Sequence, residues 1–163
     1  MNDGDLLLID AGSEYGCYCS DVTRTFPVGR RFSGPQRDIY SIVLAAQERA
    51  IEMVCPGVTM DDVHDSATET LISGLRELRL LPGTTESILE SGSYREFYMH
   101  RTSHWLGMDV HDVGKYRVDN QPRTLEPGMI LTVEPGLYIS EGSSAPNHYQ
   151  GIGVRIEDDV LVT

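Results

Sequence analysis

Four acidic residues stand where a folded chain should not tolerate them. Asp10 closes the run Leu6-Leu7-Leu8-Ile9, and Asp21 lies between Ser20 and Val22 in a stretch rich in Tyr, Val, Thr and Phe. Glu134 follows Met129-Ile130-Leu131-Thr132-Val133, and Glu157 sits beyond Gly151-Ile152-Gly153-Val154-Arg155-Ile156. Each run is too short for a helix and is punctuated by Gly or Pro, the pattern of a brief buried strand. An unpaired, ionised carboxylate in such a setting costs roughly several kcal/mol, and proteins avoid it by pairing, protonation or metal. Taken singly, each acid has an ordinary explanation. Asp10 could bond turn amides, Glu134 could end its strand in solvent, and Glu157 could pair with Arg155, which alternation puts on the same face. Asp21 could pair with Arg24, although alternation puts that guanidinium on the opposite face. Taken together, the four acids require a shared compensating charge.

The stretch Met99 to Asp112 carries three of the five histidines, His100, His104 and His111, and the single tryptophan, Trp105. Imidazoles in an apolar frame serve as neutral metal ligands, as acid/base groups or as bonded core residues. Four carboxylates and His104 from separate segments match the oxygen-rich ligand set of two hard or borderline divalent ions, whose charge offsets the acids. A closed zinc site is excluded by the spacing of Cys17, Cys19 and Cys55, and an HExxH helix by Arg101 after His100. Paired metals roughly 3.5 to 4 Å apart serve hydrolysis by activating water and polarising a carbonyl. Glu134 could shuttle the proton, and His100 and His111 could donate to the substrate or the intermediate.

Composition narrows the partners. The 163 residues fit one domain, and a net charge of -12 argues against nucleic acid or an anionic membrane. No apolar run approaches the roughly 20 residues of a membrane span, and no secretory leader is evident. Three cysteines without paired spacing point to reduced thiols and a cytoplasmic setting, with Cys17 and Cys19 on one face of a strand.

Two helices are predicted. Ser33-Gly-Pro35-Gln36 opens the first with a capping box, and Ile39, Ile42, Val43, Ala46, Ala50 and Met53 continue it. Thr59-Met-Asp-Asp62 opens the second, which carries Val63, Ala67, Leu71, Leu75 and Leu78, with His64 partly exposed. A short third helix is expected over 85–90, and single strands over 129–134 and 151–162. Leu6 to Gly12 and Tyr15 to Phe26 are expected to form a hairpin turning near residues 15 and 16, with Asp10 facing Asp21 across it.

Five motifs then carry a resemblance. Leu8-Ile-Asp10-Ala-Gly12, Ser20-Asp21-Val-Thr-Arg-Thr25-Phe26, His100-Arg-Thr-Ser-His104-Trp-Leu-Gly107-Met-Asp-Val-His111-Asp112, Leu131-Thr-Val-Glu134-Pro-Gly136 and Gly153-Val-Arg155-Ile-Glu157-Asp158 resemble, in order, the motifs of the pita-bread metallopeptidases. Within that group they are most similar to the Xaa-Pro aminopeptidases. The resemblance implies an α+β pita-bread fold, an antiparallel curved sheet with helices on its outer face, incomplete here in its N-terminal half. It implies two Mn²⁺ ions, with Zn²⁺ or Co²⁺ as substitutes. Asp21 and Glu157 would bridge them, Asp10 would complete one site, and His104 and Glu134 the other. Glu134 would handle the proton, His100 and His111 would contact the substrate, and Arg155 would hold Asp10 or a neighbouring carboxylate. A hydroxide between the metals would attack the carbonyl before a proline in second position, releasing the N-terminal residue of a peptide. Residues 1–163 are expected to be part of a catalytic domain, lacking the family's amino-terminal domain and the first portion of the catalytic domain, so that activity is expected of the longer parent and not of this portion alone. The longer parent is expected to be a homo-oligomer. The rivals are a prolidase restricted to Xaa-Pro dipeptides, and a non-catalytic binding module, which should have lost ligands that are all present here.

Overall fold

The structure is a computed structural model describing all residues, Met1–Thr163. The chain begins with a long hairpin assembled from β1 (Leu6–Ala11), β2 (Glu14–Tyr15), β3 (Tyr18–Cys19) and β4 (Val22–Pro27). β1 pairs with β4 and β2 with β3, both antiparallel. The turn lies at Gly16 and Cys17, whose φ values of 58° and 70° are both left-handed, the conformation demanded by the tightest hairpin turns. It therefore falls one residue later than the expected position, and Asp10 faces Thr23 instead of Asp21. A register shift of two preserves the face, so Asp21 remains diagonal to Asp10 on the same side. Cys17 occupies the turn, so it does not share a strand with Cys19, and all three cysteines are free.

Between the two halves of this hairpin the ladder pauses at Gly12. A Cβ there would stand 1.7 Å from the Ser20 carbonyl oxygen, so only glycine lets the two backbones approach this closely. The pause is where Asp21 leaves the regular ladder.

α1 (Gly34–Met53) and α2 (Met60–Glu77) start with the capping boxes read from the sequence, at Ser33 with Gln36 and at Thr59 with Asp62. Each cap is worth about 1 kcal/mol. α3 (Thr85–Ser91) is capped by Thr84 and ends at the left-handed Gly92, before a single 3₁₀ turn over Ser93–Glu96. α1 lies along α2 and against the later strands. The apolar stripes Ile39-Val43-Ala46 and Leu71-Ile72-Leu75 meet with Phe97, Tyr98, Leu137, Ile139 and Val154 in the main core. Each large aliphatic side chain buried there contributes roughly 1.5–3 kcal/mol. His64, expected to be partly exposed, is buried at 8% exposure, because α2 turns that face onto the histidine stretch. No helix is long and apolar enough to cross a membrane.

The C-terminal half holds β5 (Arg117–Val118) and β6 (Gln121–Pro122), a small hairpin that the sequence reading passed over. It also holds β7 (Ile130–Val133), β8 (Gly136–Ile139), β9 (Ile152–Arg155) and β10 (Asp158–Leu161). The single strand expected over 151–162 is divided at Ile156-Glu157, where the chain passes from its partner β8 to its partner β7. The register is continuous across the break: Val133 faces Asp158 and Gly136 faces Arg155, so Glu134 stands level with Glu157. Pro135 has no N–H to give the ladder, which opens there. Residues 102–106 run alongside β7, with the Glu134 amide donating to the Thr102 carbonyl (2.8 Å) and the Thr132 amide to that of His104 (3.1 Å). The Glu157 amide donates to the Thr23 carbonyl (3.0 Å), which joins the first hairpin to the last ladder. The α+β class and the antiparallel pairing are as the sequence implied. Asp21, Glu134 and Glu157 sit where a ladder is interrupted, while Asp10 projects from within β1.

Candidate metal centre

Asp10, Asp21, His100, His104, His111, Glu134, Arg155 and Glu157 all line one cavity of about 800 Å³. Interrupted ladders suit such side chains, because a backbone freed from regular pairing can turn a carboxylate inward while its neighbours stay in the core. At the centre, Asp21, His104 and Glu157 offer ligand atoms that lie within 4.8 Å of one another. Glu134 and Asp10 flank this trio: the Glu134 carboxylate is 3.5 Å from His104 Nε2, and Asp10 is close enough to Asp21 for its charge to raise that carboxyl.

The imidazole of His104 states what this cluster is suited to hold. Its Nδ1 is 3.0 Å from the Trp105 carbonyl oxygen, which can only accept, so Nδ1 carries the proton. In the neutral ring Nε2 then presents a lone pair, 3.5 Å from oxygens of both Asp21 and Glu134. Electron pairs converging from three sides in this way are reconciled by a cation at their focus, and in the metal-free protein by a proton retained on a carboxyl. A carbonyl fixing the far nitrogen is the usual arrangement behind a metal-bound histidine.

The acids resist ionisation in the metal-free protein. Glu134 is pushed up to about 8, by burial first and then by the charges of Glu157, Asp21 and Asp10, against the pull of Arg155. Burial raises Glu157 to about 7, opposed by a hydrogen bond from Thr23 and the charge of Arg155, while Asp21 and Asp10 push it higher. Asp21 is raised by burial and by Asp10, with His104 opposing. Its amide donates to Asp159, at 3.2 and 3.3 Å to the two carboxylate oxygens. Neither Asp21 nor Glu134 is paired to an arginine or lysine.

Arg155 approaches the ligand atoms from the side of Asp10 and Glu157. It hydrogen-bonds Asp10 from one side, and its Nε is 4.0 Å from Glu157. Thr23 stands between, accepting from Arg155 Nε (3.1 Å) and donating to Glu157. Arg24 lies on the other face and pairs with Asp158 at 2.6 Å, as alternation required.

His111 packs its ring against His104, with centroids 4.2 Å apart. His100 donates from Nδ1 to the Arg101 carbonyl (2.8 Å), and its Nε2 accepts from the Tyr138 hydroxyl (2.8 Å). Burial lowers its pKa, which keeps the ring neutral in that arrangement. Arg155 Nη1 is 3.4 Å from the same hydroxyl. Both ring nitrogens of His100 are thus engaged, and presenting an N–H at Nε2 to a substrate requires the Tyr138 contact to give way and Nε2 to take up a proton. Behind this wall, Thr102 Oγ1 is 2.6 Å from the Tyr98 hydroxyl and 2.9 Å from His64 Nδ1. Burial lowers His64 to about 4, so it stays uncharged.

Sequence reasoning missed Thr23, Tyr138, Asp159 and the outer wall of Asp61, Arg101, Tyr116 and Arg117. Thr23 alone carried a usable signal, since it shares a strand face with Asp21. Tyr138 has the look of any strand aromatic.

The chain matches the profile of metallopeptidase family M24 over residues 1–163. It is 54% identical to the Xaa-Pro aminopeptidase of Haemophilus influenzae over 163 residues, which are 100% of this chain and 38% of that protein. Its identity to the Xaa-Pro aminopeptidase of Escherichia coli is 50%, over 100% of this chain and 37% of that one. Among solved structures, aminopeptidase PepP of Pseudomonas aeruginosa superimposes with a TM-score of 0.98 at 51% identity, covering 100% of this chain and 37% of that chain. A variant of Escherichia coli aminopeptidase P in complex with substrate superimposes with a TM-score of 0.96 at 49% identity, with the same coverage. The chain thus spans less than two fifths of the length of these relatives.

Proposed function

Because the chain belongs to metallopeptidase family M24 along its whole length, we propose that it is the metal-holding portion of an Xaa-Pro aminopeptidase, releasing the first residue of peptides that carry proline second. Its named relatives support the substrate class. The observation that carries the metal reading is the His104 lone pair set between Asp21 and Glu134. Asp10, Asp21, His104, Glu134 and Glu157 are the residues that would hold two divalent ions. Asp21, which has Asp10 on one side and His104 on the other, and Glu157 would contribute to holding both ions. Four oxygen donors with one nitrogen suit Mn²⁺, with Zn²⁺ and Co²⁺ able to take its place. Such ions supply Lewis acidity toward the scissile carbonyl and make water a nucleophile at neutral pH.

The protein's own groups do the rest. Glu134, already reluctant to ionise, is suited to accept the proton of the attacking water and return it to the departing proline nitrogen. The departing nitrogen keeps the electron pair of the broken C–N bond, so it must be protonated as it leaves. His111 beside His104, and His100 with Tyr138, line the space where the tetrahedral oxyanion and the substrate backbone would be met. Arg155 and Thr23 keep Asp10 and Glu157 turned inward. Residues 1–163 are read as part of one catalytic domain. The test is hydrolysis of an Xaa-Pro tripeptide, its Xaa-Ala counterpart and an Xaa-Pro dipeptide by the full-length protein carrying this chain. Release of the first residue from the proline tripeptide, lost on Glu134→Gln, is expected. Cleavage of the dipeptide alone would make it a prolidase, and cleavage of neither would remove the peptidase reading.

A further inference from the structure

The cavity has opposite charge at its two ends. Its base gathers the four carboxylates, while its outer wall, built from the first turn of α2, residue 101 and the β5–β6 hairpin, presents Arg101 and Arg117. Both guanidiniums converge on one acid: Arg101 Nη2 hydrogen-bonds Asp61 Oδ1, and Arg117 Nη2 is 3.5 Å from Asp61 Oδ2. Two cations sharing one anion leave a positive charge facing the cavity. Asp65, a turn further along α2, also feels Arg101 but does not line the cavity.

Exposed pairs of this kind add little stability, about 0–1 kcal/mol each. What Asp61 does is hold two guanidinium forks in place. The side chains of Arg101 and Arg117 are 56% and 60% exposed. Arg101 gives no hydrogen bond except to Asp61, so most of its donors are open to a ligand. Arg117 spends one further contact, at 3.3 Å, on the Asn120 carbonyl of its own hairpin. In a chain with a net charge of -12, this cationic wall facing an acidic base is not a general surface property.

A peptide is a dipole with an ammonium at one end and a carboxylate at the other. An aminopeptidase cuts after the first residue, so the ammonium stays by the acids and everything beyond the scissile bond runs outward. We propose that Arg101 and Arg117, oriented by Asp61, form a carboxylate subsite for the portion of the substrate beyond proline, a reading that rests on the peptidase function above. The carboxylate is the C-terminus of a short peptide or an Asp or Glu side chain shortly after the proline. Guanidinium forks match a carboxylate with two parallel hydrogen bonds.

The test uses the full-length metal-loaded protein and four peptides: Ala-Pro-Ala as free acid and as amide, and Ala-Pro-Glu-amide beside Ala-Pro-Gln-amide. The free acid is expected to exceed its amide in kcat/KM by about fivefold, mainly through KM, and to lose that advantage in high salt. If Glu-amide exceeds Gln-amide as well, the side chain is a second source of the same ligand. Arg101→Gln and Arg117→Gln should each bring the acid-to-amide ratio toward one. Equal kcat/KM within both pairs for the unsubstituted protein overturns the subsite while leaving the peptidase reading intact. Hydrolysis of none of the four overturns both.

Discussion

At the scale of single residues, the centre depends on groups that touch no substrate. Thr23 is fully buried and uses one hydroxyl to orient two charged side chains, Glu157 and Arg155. Replacing it by valine keeps the volume and removes both bonds, so Glu157 loses its fixed direction and Arg155 is freed to pair with it. Such supporting partners typically matter by about 10–100-fold in metal affinity. Thr23→Val is therefore expected to weaken Mn²⁺ binding by about that factor, measured by calorimetric titration, while Thr23→Ser retains most of it. Equal affinity in the valine variant would mean that Glu157 is held by the backbone alone.

At the scale of elements, the segment between His100 and His104 is held from behind as well as in front. Thr102 spends its hydroxyl on Tyr98 and His64, and its carbonyl receives the Glu134 amide, so helix α2 and strand β7 meet through one residue. Thr102→Val leaves two buried polar groups without partners, which costs about 1–3 kcal/mol. A drop in melting temperature is expected, together with a fall in kcat larger than any change in KM as Glu134 shifts. Restoration of both by Thr102→Ser would assign the effect to the hydroxyl. An unchanged kcat in a destabilised valine variant would show that the Thr102 hydroxyl serves folding only.

The same elements show what a sequence can disclose. Ser33 with Gln36 and Thr59 with Asp62 announced two helices, because a capping box is local and uses residue types with few other reasons to stand in that pattern. Asp10, Asp21, Glu134 and Glu157 were legible because a carboxylate inside an apolar run contradicts its surroundings. The hairpin register was not, since it depends on Gly16 and Cys17 both adopting positive φ, and cysteine gives no sign of that. Nor was the division of the last strand, as nothing in the local sequence at Ile156 and Glu157 breaks a strand, and only the proline opposite them opens the ladder. His64, Thr23 and Tyr138 acquire their roles from neighbours far away in the chain.

At the scale of the whole molecule, the fold gathers like charges and must be compensated for it. Glu134 and Glu157 lie at about 8 and about 7 in the folded metal-free protein, above an ordinary value of 4.5. Raised folded values mean that the native state binds more protons than the unfolded one. The stability these groups contribute is thus complete below about pH 4.5 and is lost as pH rises through 7 and 8. Metal-free protein is expected to melt at a lower temperature near pH 9 than near pH 6, and saturating metal should abolish most of that slope. A metal-free melting temperature flat over this range would show that the acids are not held together as described.

The most direct measurement is the number of ions bound per chain. Metal-free protein titrated with Mn²⁺ by calorimetry, in two buffers of different ionisation heat, should take up two ions with release of protons from the glutamates. His104→Ala and Asp21→Asn should each lower that number. Binding of no ion, or binding unchanged by either substitution, would contradict the convergence of Asp10, Asp21, His104, Glu134 and Glu157 on a shared metal centre.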